Sequence, residues 1–138
     1  MRVVLDTNVP LASVGTRSPL RWLFDALLEG RFVLVVSTPI LLEYEEVLAR
    51  QTTADIAGNV LRALLALPTA ETVEPRFRWR LPPGDPDDEK FVDAALAAGA
   101  DAVVTNDAHF DALVGLDFPA VRVLAPEAFR EALGGPSS

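Results

Sequence analysis

The sequence predicts an α/β domain in three layers, α/β/α, around a central parallel sheet of four to five strands. Three observations carry that expectation. Short apolar runs rich in Val and Leu (residues 2–5, 32–36, 102–105 and 121–124) alternate with longer segments of helical period. That is the pattern of right-handed βαβ units, whose helices cover both faces of a parallel sheet. Two of the runs end in polar residues, Asp6-Thr7-Asn8 after the first and Asn106-Asp107 after the third. The chain is 138 residues long, half of them apolar and 23% charged, which suits one domain with a single core and excludes a disordered chain.

Arg2 to Leu5 is the first buried strand. Ser18-Pro19 opens a helix, with Ser18 as N-cap and Pro19 in the first turn; Leu20, Leu23, Phe24, Leu27 and Leu28 share one face, and Gly30 ends it. Phe32 to Val36 reads as a central strand. Ser37-Thr38-Pro39 starts the next helix, which runs to about Arg50 with Ile40, Leu41, Tyr44, Val47 and Leu48 facing inward. A third helix spans Asp55 to Leu67. Residues 68–86 hold Pro68, Pro75, Pro82, Pro83 and Pro86 and are the least regular stretch, with a short strand at Thr72-Val73. Within it Arg76, Arg78 and Arg80 alternate with Phe77 and Trp79, an exposed strand or arm able to meet RNA. A helix from Asp87 to Ala98 stops at Gly99, a strand follows at Ala102 to Thr105, another at Val121 to Leu124, and Pro126 to Leu133 closes the domain. Residues 1–133 form one domain and 134–138 a tail. Phe24, Phe91, Phe110 and Phe118 belong to the core.

Composition removes several chemistries. Cysteine is absent and His109 is the single histidine, so thiolate sites, histidine-rich zinc sites and a cysteine nucleophile are excluded. A formal charge of −8, from 12 basic and 20 acidic residues, argues against coating nucleic acid through bulk charge. It leaves room for an enzyme that meets phosphates through a bound metal. No stretch reaches the ~20 apolar residues of a membrane span, and polar chemistry arrives at Asp6, before a secretory apolar region. The expectation is a cytoplasmic domain with no membrane partner.

In open parallel sheets, ligands bind beyond the carboxyl ends of the strands. Asp6 and Asp107 follow two such ends, Glu43 sits in the early turns of the helix after the second strand, and Asp85, Asp87, Asp88 and Glu89 gather where the helix before the third confident strand begins. Carboxylates ~4 Å apart repel by about 4 kcal/mol at an effective dielectric of 20, so a converging set calls for a positive partner. Hard oxygen donors without Cys or a His cluster select Mg²⁺ or Mn²⁺, and such an ion activates water and stabilises charge on a phosphoryl oxygen. Each acid also has a purely structural reading. Residues 85–89 suit a helix start, Asp6-Thr7-Asn8 suits a turn, Glu43 beside Glu45 and Glu46 suits an exposed helix face, and Asp107 suits a cap.

The ordered set Asp6-Thr7-Asn8, Ser37-Thr38-Pro39-Ile40-Leu41-Leu42-Glu43-Tyr44, Asp85-Pro86-Asp87-Asp88-Glu89-Lys90-Phe91 and Val103-Val104-Thr105-Asn106-Asp107 resembles the PIN domain, in the branch of toxin PIN proteins related to VapC-type toxins. The resemblance covers nearly the whole chain. It implies a Mg²⁺- or Mn²⁺-dependent endoribonuclease whose four acids map to Asp6, Glu43, Asp88 and Asp107. Asp85 and Asp87 would be outer or alternate ligands, with Asn8, Thr105 and Asn106 as supporting polar groups. It further implies an RNA substrate, a homodimer and a small antitoxin partner. Two other functions compete: a non-catalytic PIN-like module that binds RNA or protein, and a phosphatase of the haloacid dehalogenase type. The phosphatase chemistry wants a second Asp where Asn8 stands, and a Lys on its own segment, whereas Lys90 lies beside the acids.

Overall fold

The computed structural model describes residues 1–13, 17–75, 86–106 and 122–134, and within them every side chain except those of residues 86–89. The Arg76–Arg80 arm, Asp85, Asp107, His109, Phe110, Phe118, Val121 and residues 135–138 lie outside the described residues.

Five strands, β1 (Arg2–Leu5), β2 (Val33–Val36), β3 (Ala70–Thr72), β4 (Ala102–Val104) and β5 (Val123–Leu124), form one sheet in the order β3-β2-β1-β4-β5. All its pairings are parallel, with Val3 opposite both Leu34 and Ala102 and Leu5 opposite Val104. Val3, Val4, Leu5, Leu34, Val35, Val36, Val103 and Val104 are 0% exposed. Unbroken burial along a strand requires cover on both faces, which is why these runs read as continuous apolar segments and not as alternating ones.

The helices are α1 (Asn8–Ser13), α2 (Arg21–Leu28), α3 (Thr38–Gln51), α4 (Ala54–Leu65), α5 (Pro86–Ala98) and α6 (Pro126–Ala132). From β1 the chain moves outward in one direction, to β2 and β3, and then returns to the other side of β1 for β4 and β5. Right-handed crossovers therefore put α1–α4 on one face and α5 on the other. The packing agrees: α5 lies against β1, β2 and β4 and buries Phe91, Val92, Ala94, Ala95 and Ala98. An edge-on contact of Phe32 with Phe129, centroids 5.1 Å apart, ties α6 to the amino end of β2.

Several local expectations change. The chain turns into α1 directly after Asp6, with the Val9 N–H on the Asp6 carbonyl at 2.9 Å. A six-residue helix is too short to show a period. Helix α2 begins at Arg21: Ser18 accepts from the Leu20 N–H at 3.1 Å in a local turn, and Leu20 takes the N-cap position without a side-chain bond. Phe24 is half-buried beneath the Arg21 guanidinium, 4.7 Å from its ring centroid, and is no core residue. Helix α4 starts at Ala54 because the Thr53 hydroxyl caps the Ile56 N–H at 3.1 Å. The third strand falls on Ala70–Thr72 and excludes Val73. The stops at Gly30 and Gly99 hold: both residues have positive φ (75° and 61°). The following amides, of Arg31 and Ala100, bond back to Ala26 and Ala95, the six-to-one closure of a Schellman motif.

Candidate functional site

The reversal of strand order between β1 and β4, which stay parallel, makes a topological switch point, where the crossovers on either side diverge and leave a crevice at the carboxyl ends. Asp6 stands at the end of β1 in that crevice. Its backbone N–H bonds the Val104 carbonyl at 3.0 Å, and the Thr105 hydroxyl donates to its Oδ2 at 2.8 Å. Thr105 is buried, 4% exposed, so the bond fixes the carboxylate against the end of β4. Continuing the β1–β2 register sets Ser37 level with Asp6 on the other side. The Ser37 hydroxyl is buried, caps nothing on α3, and has no hydrogen-bond partner among the described residues.

Helix α3 supplies the second acid. Ile40, Tyr44 and Leu48 form its buried stripe, and Glu43, beside Tyr44, lies at the margin of that stripe near the carboxyl end of the sheet. Both carboxylate oxygens are engaged. The Thr7 hydroxyl donates to Oε2, and the Lys90 ammonium lies 2.8 Å from Oε1, the two side chains being 15% (Lys90) and 27% (Glu43) exposed. Lys90 comes from α5, so this ion pair joins the two helical layers across the carboxyl edge.

Tyr44 connects the two acids. Its hydroxyl donates to the Leu5 carbonyl, one residue before Asp6. Burial pushes its pKa well above the ordinary tyrosine value, and the charges of Asp6 and Glu43 push it further. The phenol stays neutral and remains a donor; it adds no third anion.

The structure thus brings together Asp6, Glu43 and Thr105 from the residues expected of the site. Asn8 opens α1 and Asn106 follows Thr105, both exposed. Asp87 and Asp88 lie in the first turn of α5, two to three residues ahead of Lys90; Asp85 and Asp107 fall outside the described residues. Among the described residues no three of His, Cys, Asp and Glu gather into a group able to hold a metal. The two acids in place are hard oxygen donors oriented by hydroxyls, and they fit Mg²⁺ or Mn²⁺. The sequence reading missed Thr7, Tyr44 and Lys90. The signal available for Lys90 was its singularity, the one lysine beside eleven arginines. For Glu43 the positive partner that the repulsion argument calls for is supplied by the chain itself.

The solved structure of VapBC2 from Rickettsia felis, bound to a DNA fragment from its promoter, matches this fold with a TM-score of 0.62. The match covers 91% of this chain and 98% of that one at 15% identity, which is a likeness of fold. No curated protein sequence matches the chain. The PIN domain family profile matches residues 2–109, from the start of β1 through β4 and past all four expected acids. With the parallel five-stranded sheet and the acid at its switch point, the chain belongs to the PIN domain family.

Proposed function

We propose that this protein is a metal-dependent endoribonuclease, the toxin component of a toxin–antitoxin pair. The observation that carries the reading is the meeting of Asp6 and Glu43, 37 positions apart in sequence, around the buried Tyr44 hydroxyl at the carboxyl edge. Asp6, Glu43, Asp88 and Asp107 are the residues assigned to hold Mg²⁺ or Mn²⁺ and RNA at the site, with Asn8, Thr105, Asn106, Asp85 and Asp87 in support. When bound, such an ion lowers the pKa of water and offsets charge developing on the phosphate. The chain's own groups do the positioning. Thr105 orients the Asp6 carboxylate, Thr7 orients Glu43, and neutral Tyr44 anchors the turn that carries Asp6.

The test is cleavage of single-stranded RNA by the purified protein. Activity should require Mg²⁺ or Mn²⁺ and stop in EDTA; cleavage that persists in EDTA, or that needs zinc, removes the site assignment. The internal Lys90–Glu43 pair favours one other reading, a non-catalytic PIN-like module, because it neutralises an acid without a metal; metal-stimulated cleavage excludes it.

The partners proposed are a second copy of this chain and a small antitoxin. An apolar cleft of about 220 Å³ runs between α1, α2, α3 and α4, lined by Leu11, Leu27, Leu61 and Leu64 among others. Leu28 and Leu42 are 51% and 61% exposed, so apolar surface remains for association. Light scattering that gives a strict monomer at micromolar concentration would remove the homodimer.

A further inference from the structure

We propose that Ser37 is a positioning residue of the site, whose hydroxyl holds a water molecule carried by the divalent cation beside Asp6. The inference rests on the nuclease reading above and deepens it. Three polar residues stand level across the ends of three adjacent strands. The β1–β4 register runs on from Leu5 and Val104 to Asp6 and Thr105, and the β1–β2 register runs on to Asp6 and Ser37. Side chains alternate between the faces along each strand, so level residues of a parallel sheet share one face. Thr105 spends its hydroxyl on Asp6 Oδ2 at 2.8 Å. Ser37, on the opposite flank, is 1% exposed, and its hydroxyl has no hydrogen-bond partner among the described residues.

Helix capping does not account for that hydroxyl. Ser37 takes the N-cap position of α3 with extended backbone angles (φ −128°, ψ 168°), and its carbonyl accepts from the Leu41 N–H at 2.9 Å. An N-cap hydroxyl ordinarily accepts from the second or third amide of its helix. Pro39 removes the second, and the Ser37 hydroxyl does not take the third, that of Ile40. Leaving a buried hydroxyl unpaired costs free energy, and such groups mark places where a ligand or water completes the bonding. An RNA phosphate does not reach a residue so enclosed; a water does. Mg²⁺ sheds its waters reluctantly and keeps several when one or two carboxylates hold it. A water on a cation is a strong donor, and a serine oxygen has lone pairs to accept from it. Bonds of this kind orient the ligands of a metal and raise its affinity.

The experiment titrates Mn²⁺ alone into metal-stripped wild type, Ser37→Ala and Ser37→Thr, followed by electron paramagnetic resonance, and melts each protein in EDTA. Ser37→Ala should bind Mn²⁺ about tenfold more weakly than wild type. Its melting temperature in EDTA should stay the same or rise, because without metal the substitution removes only an unpaired group. Ser37→Thr, which keeps the hydroxyl, should bind Mn²⁺ as wild type does. Wild-type Mn²⁺ affinity in Ser37→Ala overturns the proposal and leaves the nuclease reading standing. A lower melting temperature of Ser37→Ala in EDTA, or failure of that variant to fold, makes Ser37 a cap or the seat of a permanent water and overturns the proposal whatever the affinity. Ser37→Thr as weak as Ser37→Ala would assign the effect to packing and overturns it as well. Wild type that binds no Mn²⁺ removes the nuclease reading along with the proposal, and the wild-type titration decides this without either variant.

Discussion

Two ion pairs mark opposite ends of the same sheet. Toward the amino end, Arg2 of β1 reaches across β2 to Glu71 of β3, with side chains 38% and 39% exposed. The Arg2 backbone N–H is bound as well, by Asp101 at 2.8 Å. At the carboxyl end Lys90 meets Glu43, at 15% and 27% exposure. The first pair matches one cation to one anion in solvent, where such pairs contribute at most about 1 kcal/mol. The second joins the two helical layers beside Asp6, and a hydroxyl is set on each of the carboxylates of Glu43 and Asp6. Similar charges thus decorate a surface at one end and build an oriented, partly buried excess of negative charge at the other. What separates them is the topology: only the carboxyl end lies at the switch point.

The sharpest way to test that contrast is Asp6→Asn. Cleavage should fall by about 10²-fold or more, the scale of losing one group that stabilises developing charge. The metal-free fold should keep its melting temperature or gain, because the amide oxygen still accepts from Thr105 and one charge leaves the neighbourhood of Glu43. Mn²⁺ at a hundredfold excess over its Kd should stabilise wild type by about 2.7 kcal/mol and the variant much less. A variant less stable in EDTA, with the Mn²⁺ response intact, would make Asp6 a structural residue and erase the difference between the two ends.

A smaller effect is expected from Tyr44, the single tyrosine of the chain. Its folded pKa is raised by burial first and by Asp6 and Glu43 second. The unfolded chain ionises near pH 10, so the folded state holds a proton that the unfolded one releases. Stability is therefore complete below about pH 10 and falls as the pH rises beyond it. Tyrosinate absorbance of the native protein should stay flat until unfolding begins; a folded-state titration near pH 10 would contradict the buried phenol. Tyr44→Phe should cost about 1 kcal/mol at neutral pH, from the lost bond to Leu5, and should flatten the alkaline decline.

Glu71→Gln should have the least effect, a stability change within about 1 kcal/mol that shrinks further in high salt. RNA cleavage should not change. A loss of cleavage comparable to that of Asp6→Asn would show that the amino end takes part in function.

What the sequence determined by itself follows from local pattern. Continuous Val and Leu runs require cover on both faces, so β1, β2 and β4 were legible within a residue, as were the helix after Ser37 and the glycine stops at Gly30 and Gly99. The position of Asp6, Glu43 and Thr105 at the carboxyl edge was legible because polar groups at strand ends and near a helix start sit there whatever the strand order. Only the tertiary structure decided how these groups are bonded. The Thr7–Glu43 and Thr105–Asp6 bonds join residues 36 and 99 positions apart, and Lys90 reaches Glu43 because α5 returns over the sheet from the opposite layer. Periodicity tells each segment which side to bury. It carries no information on which distant segment will face it, and that choice belongs to the sheet order β3-β2-β1-β4-β5, set by the collective packing of both layers.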